Sequence, residues 1–343
     1  MSRDEIVTQP LTALARLAAA LAAGTDADSD SDAHADKLLA EARAAGATRH
    51  EIAAALAAAR EFGSDARLID ELCDALAADT APWTEKRTVT LGGYPTVVAR
   101  RVGRSGPAMV LYHSIALDHA MWEPMVAALP PDIDVTAYDL RAHGHHADPG
   151  VPFSLEACAD DLRELADSLA LGPIYPVGIS MGGAVVQQFA AQYPDMLVGL
   201  AIIASAGRGG PAAADRAADG ERDGLAAQVG TTLSRWFSVR SLAENGPWVR
   251  YARHRIVSWN TAAWGQAWRA LANRDMFPRL SAVTAPALCI AGDADSSAPP
   301  TAVQAVADAL PRGSLTVLAG PHLINLESPE DVAAALAAHH RSL

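Results

Sequence analysis

One stretch constrains the fold of this chain more than any other: Ile174-Tyr175-Pro176-Val177-Gly178-Ile179-Ser180-Met181-Gly182-Gly183. Ile174 to Ile179 is short and apolar, the mark of a strand buried on both faces, and Ala184 to Tyr193 reads as a helix. Gly178-x-Ser180-x-Gly182 stands at the junction. Strand and helix can approach closely there only if the residues flanking the serine carry no side chain. The turn lifts the Ser180 hydroxyl clear of the sheet, and the free N–H groups at the helix start face any negative charge developing beside it. Because the chain has 25 glycines, the pentapeptide alone would say little. Its place between a strand and a helix makes it a nucleophile elbow.

An elbow needs a sheet. From Thr84 onward, β and α patterns alternate. Arg87 to Leu91 and Thr96 to Val102 read as a hairpin around Gly92-Gly93. Ala108 to Tyr112, Ile133 to Tyr138, Leu197 to Ala204, Ala287 to Ala291 and Leu315 to Ala319 read as strands. Between and after them come helical stretches such as Ser154 to Leu169, Thr301 to Leu310 and Pro329 to Arg341. The pattern predicts an α/β fold with a mostly parallel eight-stranded sheet and helices on both faces. Residues 83–206 and 283–343 form this core. Residues 207–282 interrupt it with polar, helical sequence that holds five of the seven tryptophans: Trp236, Trp248, Trp259, Trp264 and Trp268. An aromatic-rich insertion there suits a helical lid. Trp236 and Trp264 are expected to face a substrate. Arg235, Arg250, Arg253, Arg255 and Arg274 are candidates to hold a carboxylate, with Arg235 foremost.

Residues 1–82 read as an all-helical extension. Leu11, Leu14, Leu17 and Leu21 recur at helical spacing up to Gly24, and the Asp/Ser-rich run after it reads as a solvated loop. A second helix covers about Ala35 to Ala45. Thr48-x-x-Glu51 is a capping box opening a third helix with Ile52, Leu56 and Ala59 on one face, and Ser64 heads a fourth with Leu68, Ile69, Leu72 and Leu76. So few residues are expected to bury their apolar stripes against the main domain or against another subunit, the second case being a homo-oligomer built through these helices.

Composition narrows the partners. A formal net charge of -13 argues against nucleic acid and against an anionic membrane. No apolar run approaches the roughly 18 residues of a membrane span, and the N-terminus lacks the pattern of a signal peptide. Cys73, Cys158 and Cys289 have no metal or redox spacing and fit a reducing cytoplasm. His143, His145 and His146 crowd one loop, but no metal is expected, nor any nucleotide or other cofactor. A small molecule is the expected partner.

A serine hydroxyl is a weak nucleophile at neutral pH and needs a base that is itself oriented by a carboxylate. Along a chain with this elbow the order is serine, acid, histidine. After the elbow, one strand runs into Gly292-Asp293-Ala294-Asp295, and the last strand runs into Gly320-Pro321-His322. His322 is therefore the candidate base, with Asp293 and Asp295 competing as the acid. The Met181 N–H, directly after the nucleophile, is one candidate oxyanion donor. The other comes from the loop after Ala108 to Tyr112.

Residues 85–343 resemble the α/β-hydrolase superfamily and, within it, the 3-oxoadipate enol-lactonase-like subgroup. His113-Ser114-Ile115-Ala116-Leu117-Asp118-His119-Ala120-Met121-Trp122 is similar to that subgroup's N-S-L-G-T-D-H-G-M-W. Asp139-Leu140-Arg141-Ala142-His143-Gly144 resembles its D-x-R-G-H-G, and Arg235-Trp236-Phe237 its R-W-F. The family pattern G-x-x-D-x-x-x-P selects Asp295 as the acid, and Ile115 occupies the place of the second oxyanion donor. Ala116 and Ala142 stand where glycines are usual, and they are expected to narrow the pocket. The resemblance implies a serine hydrolase that cleaves a lactone or ester through an acyl-enzyme. Acyl transfer, cyclisation or C–C bond hydrolysis by the same triad, or a non-catalytic binding role, are the alternatives. The N-terminal Ala44-Ala45-Gly46-Ala47-Thr48-Arg49-His50-Glu51-Ile52 resembles a segment of the carboxymuconolactone decarboxylase/AhpD-like family. The places of that family's C-x-x-C-x-x-x-H fall on Ser31, His34 and Leu38, so dithiol chemistry is absent and a scaffold role is implied.

Overall fold

The computed structural model describes residues 82–144 and 150–343, together with residues 14, 17, 31–45, 47–48, 51–53, 55–56, 59, 69–70 and 72–73. The expectations for Leu11, Leu21, Gly24, Ser64, Leu68, Leu76, His145 and His146 lie outside the described residues. The chain divides into two compact units, residues 1–80 with 239–251, and residues 81–238 with 252–343.

The second unit is built on one eight-stranded sheet. Its strands are β1 (Glu85–Leu91), β2 (Tyr94–Arg101), β3 (Ser105–Tyr112), β4 (Ile133–Tyr138), β5 (Tyr175–Ile179), β6 (Leu200–Ile203), β7 (Ala287–Gly292) and β8 (Gly313–Leu318). They lie in the order β1-β2-β4-β3-β5-β6-β7-β8. The hairpin β1–β2 is antiparallel, β2 pairs antiparallel with β4, and every pair from β4 to β8 is parallel. Every residue of β5, β6 and β7 is buried, as strands covered on both faces must be. The edge strands are different. β1 carries Glu85, Lys86 and Arg87, and β8 is only partly buried, which discourages pairing with another chain.

Local signals set the helices. Ser154 caps the helix Leu155–Ser168 by accepting from the Ala157 N–H, and that helix packs against the elbow helix Met181–Gln192. The helix Pro329–Arg341 starts on a proline and packs beside Glu123–Ala128. Between β6 and β7 the chain forms the helices Pro211–Asp223, Leu225–Trp236, Thr261–Ala272 and the short Phe277–Leu280. Thr261–Ala272 packs mainly on Pro211–Asp223, where Trp264 fills the space that Gly220 leaves open.

In the first unit the described residues form a core of their own: Leu17, Leu39, Ala42, Ala47, Ile52, Leu56, Ala59, Ile69 and Leu72. The first helix described there spans Ser31–Ala44, so it begins inside the stretch expected to be loop. Thr48 and Glu51 form the expected capping box, each side chain accepting from the other's backbone N–H at 3.1 and 2.7 Å. The unit also takes in part of the lid sequence, residues 239–251. There the Arg250 guanidinium donates to both oxygens of Glu51, at 2.6 and 3.3 Å. Burial would push the Glu51 carboxyl up, but the Arg250 contacts and the capping hydrogen bonds hold it below its usual value. Among the described residues, no helix is long and apolar enough to cross a membrane.

Candidate active site

In a parallel sheet the strand C-termini share one edge, and functional groups gather there. Ser180 follows β5, Asp295 follows β7 and His322 follows β8. Ser180 has φ 57 and ψ -115, a conformation that L-residues avoid and that costs of order 1–3 kcal/mol. The fold holds it there: the Ser180 N–H donates to Ile203 O at 2.9 Å, and its carbonyl accepts from the Ala184 N–H at 3.1 Å. A Cβ on Gly178 would run into Gly182 O, and one on Gly182 would run into Tyr112 O. Both glycines are therefore required by close backbone approach, as the pentapeptide implied.

His322 Nε2 lies 2.8 Å from Ser180 Oγ, and His322 Nδ1 lies 2.8 Å from Asp295 Oδ2. Asp295 is buried, and its Oδ1 accepts from the N–H groups of Ser297 and Ala298 at 2.7 and 3.0 Å. Its carboxylate is thus locked in one orientation. Asp293 is exposed and accepts from the Gly320 N–H at 2.9 Å, away from the histidine. The loop carrying His322 is fixed from two sides. The Leu323 N–H donates to Trp236 O at 3.0 Å, and the Asn325 amide donates to Met121 O at 2.9 Å.

Met181 is the first residue of the elbow helix, so its N–H has no partner within the helix. Ile115 lies buried in the turn after β3, but it does not line the cavity onto which Ser180 opens. Ala116 and Ala142 have φ 63 and 58, the left-handed region that glycine occupies without strain. Neither lines the cavity, so the expected narrowing does not occur.

Ser180, Met181 and His322 open onto a cavity of about 250 Å³. Trp236 and Arg235 line it. Trp264 does not. It is fully buried, donates its indole N–H to Arg216 O at 2.7 Å, and packs edge-on against Trp268. Trp268 is the ring that reaches the cavity, one helical turn further on, and it was missed along with Arg208 and Arg216. Arg274 lines the cavity, whereas Arg250 is bound to Glu51 and Arg255 to Asp118.

Behind β3 and β4 lies a buried polar network. The His113 Nδ1–H donates to Ser114 O, and its Nε2 accepts from the Leu140 N–H, which fixes the neutral tautomer. Burial pushes both His113 and His143 below the usual imidazole value, and the His143 ring lies against Trp259. Asp118, His119 and Asp139 have the donor types of a metal site. However, Asp139 accepts from His119 Nδ1 at 2.6 Å, and Asp118 pairs with the Arg255 guanidinium at 3.1 Å. Both acids already have a protein partner, Asp139 in a hydrogen bond with His119 and Asp118 in an ion pair with Arg255.

A parallel sheet, a strained serine at a strand–helix elbow, and a histidine and an aspartate at neighbouring strand ends define the class as a hydrolase of α/β type. Residues 107–329 match the family model for the alpha/beta hydrolase fold, and the chain belongs to that family. It is 29% identical to 3-oxoadipate enol-lactonase 1 of Acinetobacter baylyi, over 66% of this chain and 85% of that one. It is 32% identical to the pimeloyl-[acyl-carrier protein] methyl ester esterase of Stenotrophomonas maltophilia, over 67% of this chain and 92% of that protein. The crystal structure of the enol-lactonase from Burkholderia xenovorans superposes with a TM-score of 0.70 at 26% identity, over 74% of this chain and 99% of the other.

Proposed function

We propose that the protein is a serine hydrolase that opens a lactone or cleaves a carboxylic ester through an acyl-enzyme. One observation carries the reading: an unbroken relay from Ser180 Oγ through His322 to Asp295, 2.8 Å at each link. Ser180 Oγ attacks the carbonyl carbon while its proton passes to His322 Nε2, and Asp295 stabilises the imidazolium. The tetrahedral oxyanion is held by the Met181 N–H at the start of the elbow helix, and the turn after β3 is the place for a second donor. Collapse breaks the C–O bond, and the leaving alkoxide takes the proton from His322. In a lactone that alkoxide stays tethered to the acyl group. Water then gives a proton to His322, attacks the acyl carbon, and releases the acid as Ser180 is reprotonated.

Relatives named as an enol-lactonase and a methyl ester esterase support both substrate types. The Trp236 and Trp268 faces suit an aromatic or extended apolar portion, and Arg235 a carboxylate. Small lactones and p-nitrophenyl esters are the test. Ser180→Ala should lower kcat by roughly 10³-fold or more, the residual rate coming from binding and the oxyanion hole alone. Hydrolysis within tenfold of the wild type would remove the assignment. Loss of water-dependent turnover with retained acyl transfer to alcohols would point to a transferase instead.

A further inference from the structure

Among the described residues, the cavity above Ser180 is lined by four arginines, Arg208, Arg216, Arg235 and Arg274, and by no aspartate or glutamate. In a chain of net charge -13, so one-sided a lining is a local design. Two of the four have their donors engaged, Arg208 by a carboxylate and Arg274 by backbone carbonyls. Arg208 pairs with Asp275 at 2.8 Å, and Arg274 gives its terminal nitrogens to Leu271 O and Ala206 O at 3.0 Å each. Arg216 and Arg235 are not answered. Among the described residues, neither has a carboxylate within ion-pairing distance. Arg216 lies over the Trp268 ring at 4.9 Å, and Arg235 donates to the Thr232 hydroxyl at 3.4 Å. Both are half-buried, and burial, followed by repulsion from Arg216, holds the Arg235 guanidinium down at about 10.

The backbone adds to this field. Gly209 to Ala213 line the same cavity, and they lead into the first turn of the 13-residue helix Pro211–Asp223. Its N-cap is Gly210, which has no side chain to satisfy the first N–H groups. A helix start adds about half a positive charge. Two unpaired guanidiniums that repel each other in a half-buried space are unfavourable until anions join them. A single carboxylate shared between them would leave one charge unanswered; two leave none.

Resting on the hydrolase reading above, we propose that this site selects an acyl substrate carrying two carboxylates besides the scissile ester or lactone, one for Arg216 and one for Arg235. Each guanidinium meets its carboxylate through two parallel hydrogen bonds. The Trp236 and Trp268 faces fill the space between the anions and the reacting carbonyl.

Three p-nitrophenyl esters test this: the pentanoate with no further charge, the glutarate half-ester with one, and the tricarballylate monoester with two. At low salt, wild-type kcat/KM should rise roughly tenfold with each added carboxylate. Added sodium chloride should compress the series. Arg216→Gln should erase the second step, Arg216→Gln/Arg235→Gln should bring the dianion-to-neutral ratio close to one, and Arg216→Lys should restore part of it. A wild-type dianion no faster than the monoanion would overturn the proposal. If none of the three esters is turned over, the hydrolase reading itself falls. The subsite is then read by calorimetry on Ser180→Ala with tricarballylate and glutarate. Tighter binding of tricarballylate, lost in the double arginine variant, would keep the subsite; equal affinities would remove it.

Discussion

At the scale of single residues, the backbone and the catalytic side chains depend on each other. Ser180 is held in a strained conformation by hydrogen bonds from two neighbouring elements, and the strain aims its hydroxyl at His322. The choice between two aspartates is equally local. Asp295→Asn should lower kcat by about 10⁴-fold, because the amide favours the wrong imidazole tautomer. Asp293→Asn, at an exposed oxygen bonded to Gly320, should stay within about threefold; steady-state kinetics on one aryl ester separate the two. Ser180, His322 and both aspartates are legible in the sequence because each ends an apolar strand. The cavity wall is less so. Trp264 and Trp268 stand four apart, on one helix face, and spacing alone does not say which of them a neighbouring helix covers. Gly220 decides it by making room for Trp264. Trp264→Ala should therefore cost about 3–5 kcal/mol in urea unfolding, whereas Trp268→Ala should act chiefly on KM. Arg216 stands in an Ala/Asp-rich helix whose composition reads as solvated, so nothing in the sequence marks it as part of the wall.

At the scale of elements, alternation of apolar strands and capped helices was enough to locate all eight strands, with boundary shifts of a few residues. The sixth shortens to Leu200–Ile203 because Leu197 makes only an isolated bridge to Ile174. The segment between β6 and β7 is tied to the loops after β3 and β4 by polar bonds that periodicity does not reveal. The Trp259 indole N–H donates to Ala142 O at 2.6 Å, and Arg255 pairs with the buried Asp118, whose other oxygen accepts from the Ala120 N–H at 3.0 Å. Arg255→Met should leave a carboxylate buried beside the loop that follows β3 and cost about 3–5 kcal/mol. Arg255→Met/Asp118→Asn should recover part of that loss, because the uncompensated charge is gone. Equal stability of the single and double variants in urea would show that the Arg255→Met variant holds no uncompensated charge at Asp118.

At the scale of the whole chain, the family match covers residues 107–329 and leaves residues 1–80 of the first unit outside it. The capping box at Thr48 was legible, and so was the helix through Leu39, although that helix starts earlier, at Ser31. The unit's membership was not, since residues 239–251 are remote in sequence and join it through contacts such as Glu51–Arg250. We propose that this unit serves assembly and performs no chemistry. Removing residues 1–80 should lower the sedimentation coefficient by more than the lost mass explains, while hydrolysis of p-nitrophenyl acetate stays within tenfold. Lost hydrolysis in a truncated chain that remains folded by circular dichroism would give the unit a part in the reaction.

The central claim is a serine made nucleophilic by the elbow and its histidine. Labelling of the full chain with a fluorophosphonate, read by intact mass and peptide mapping, tests it most directly. One adduct per chain on Ser180 is the expected result, absent from Ser180→Ala and slowed by at least about 10²-fold in His322→Ala. An unlabelled wild-type chain, or an adduct that persists in Ser180→Ala, would contradict the account.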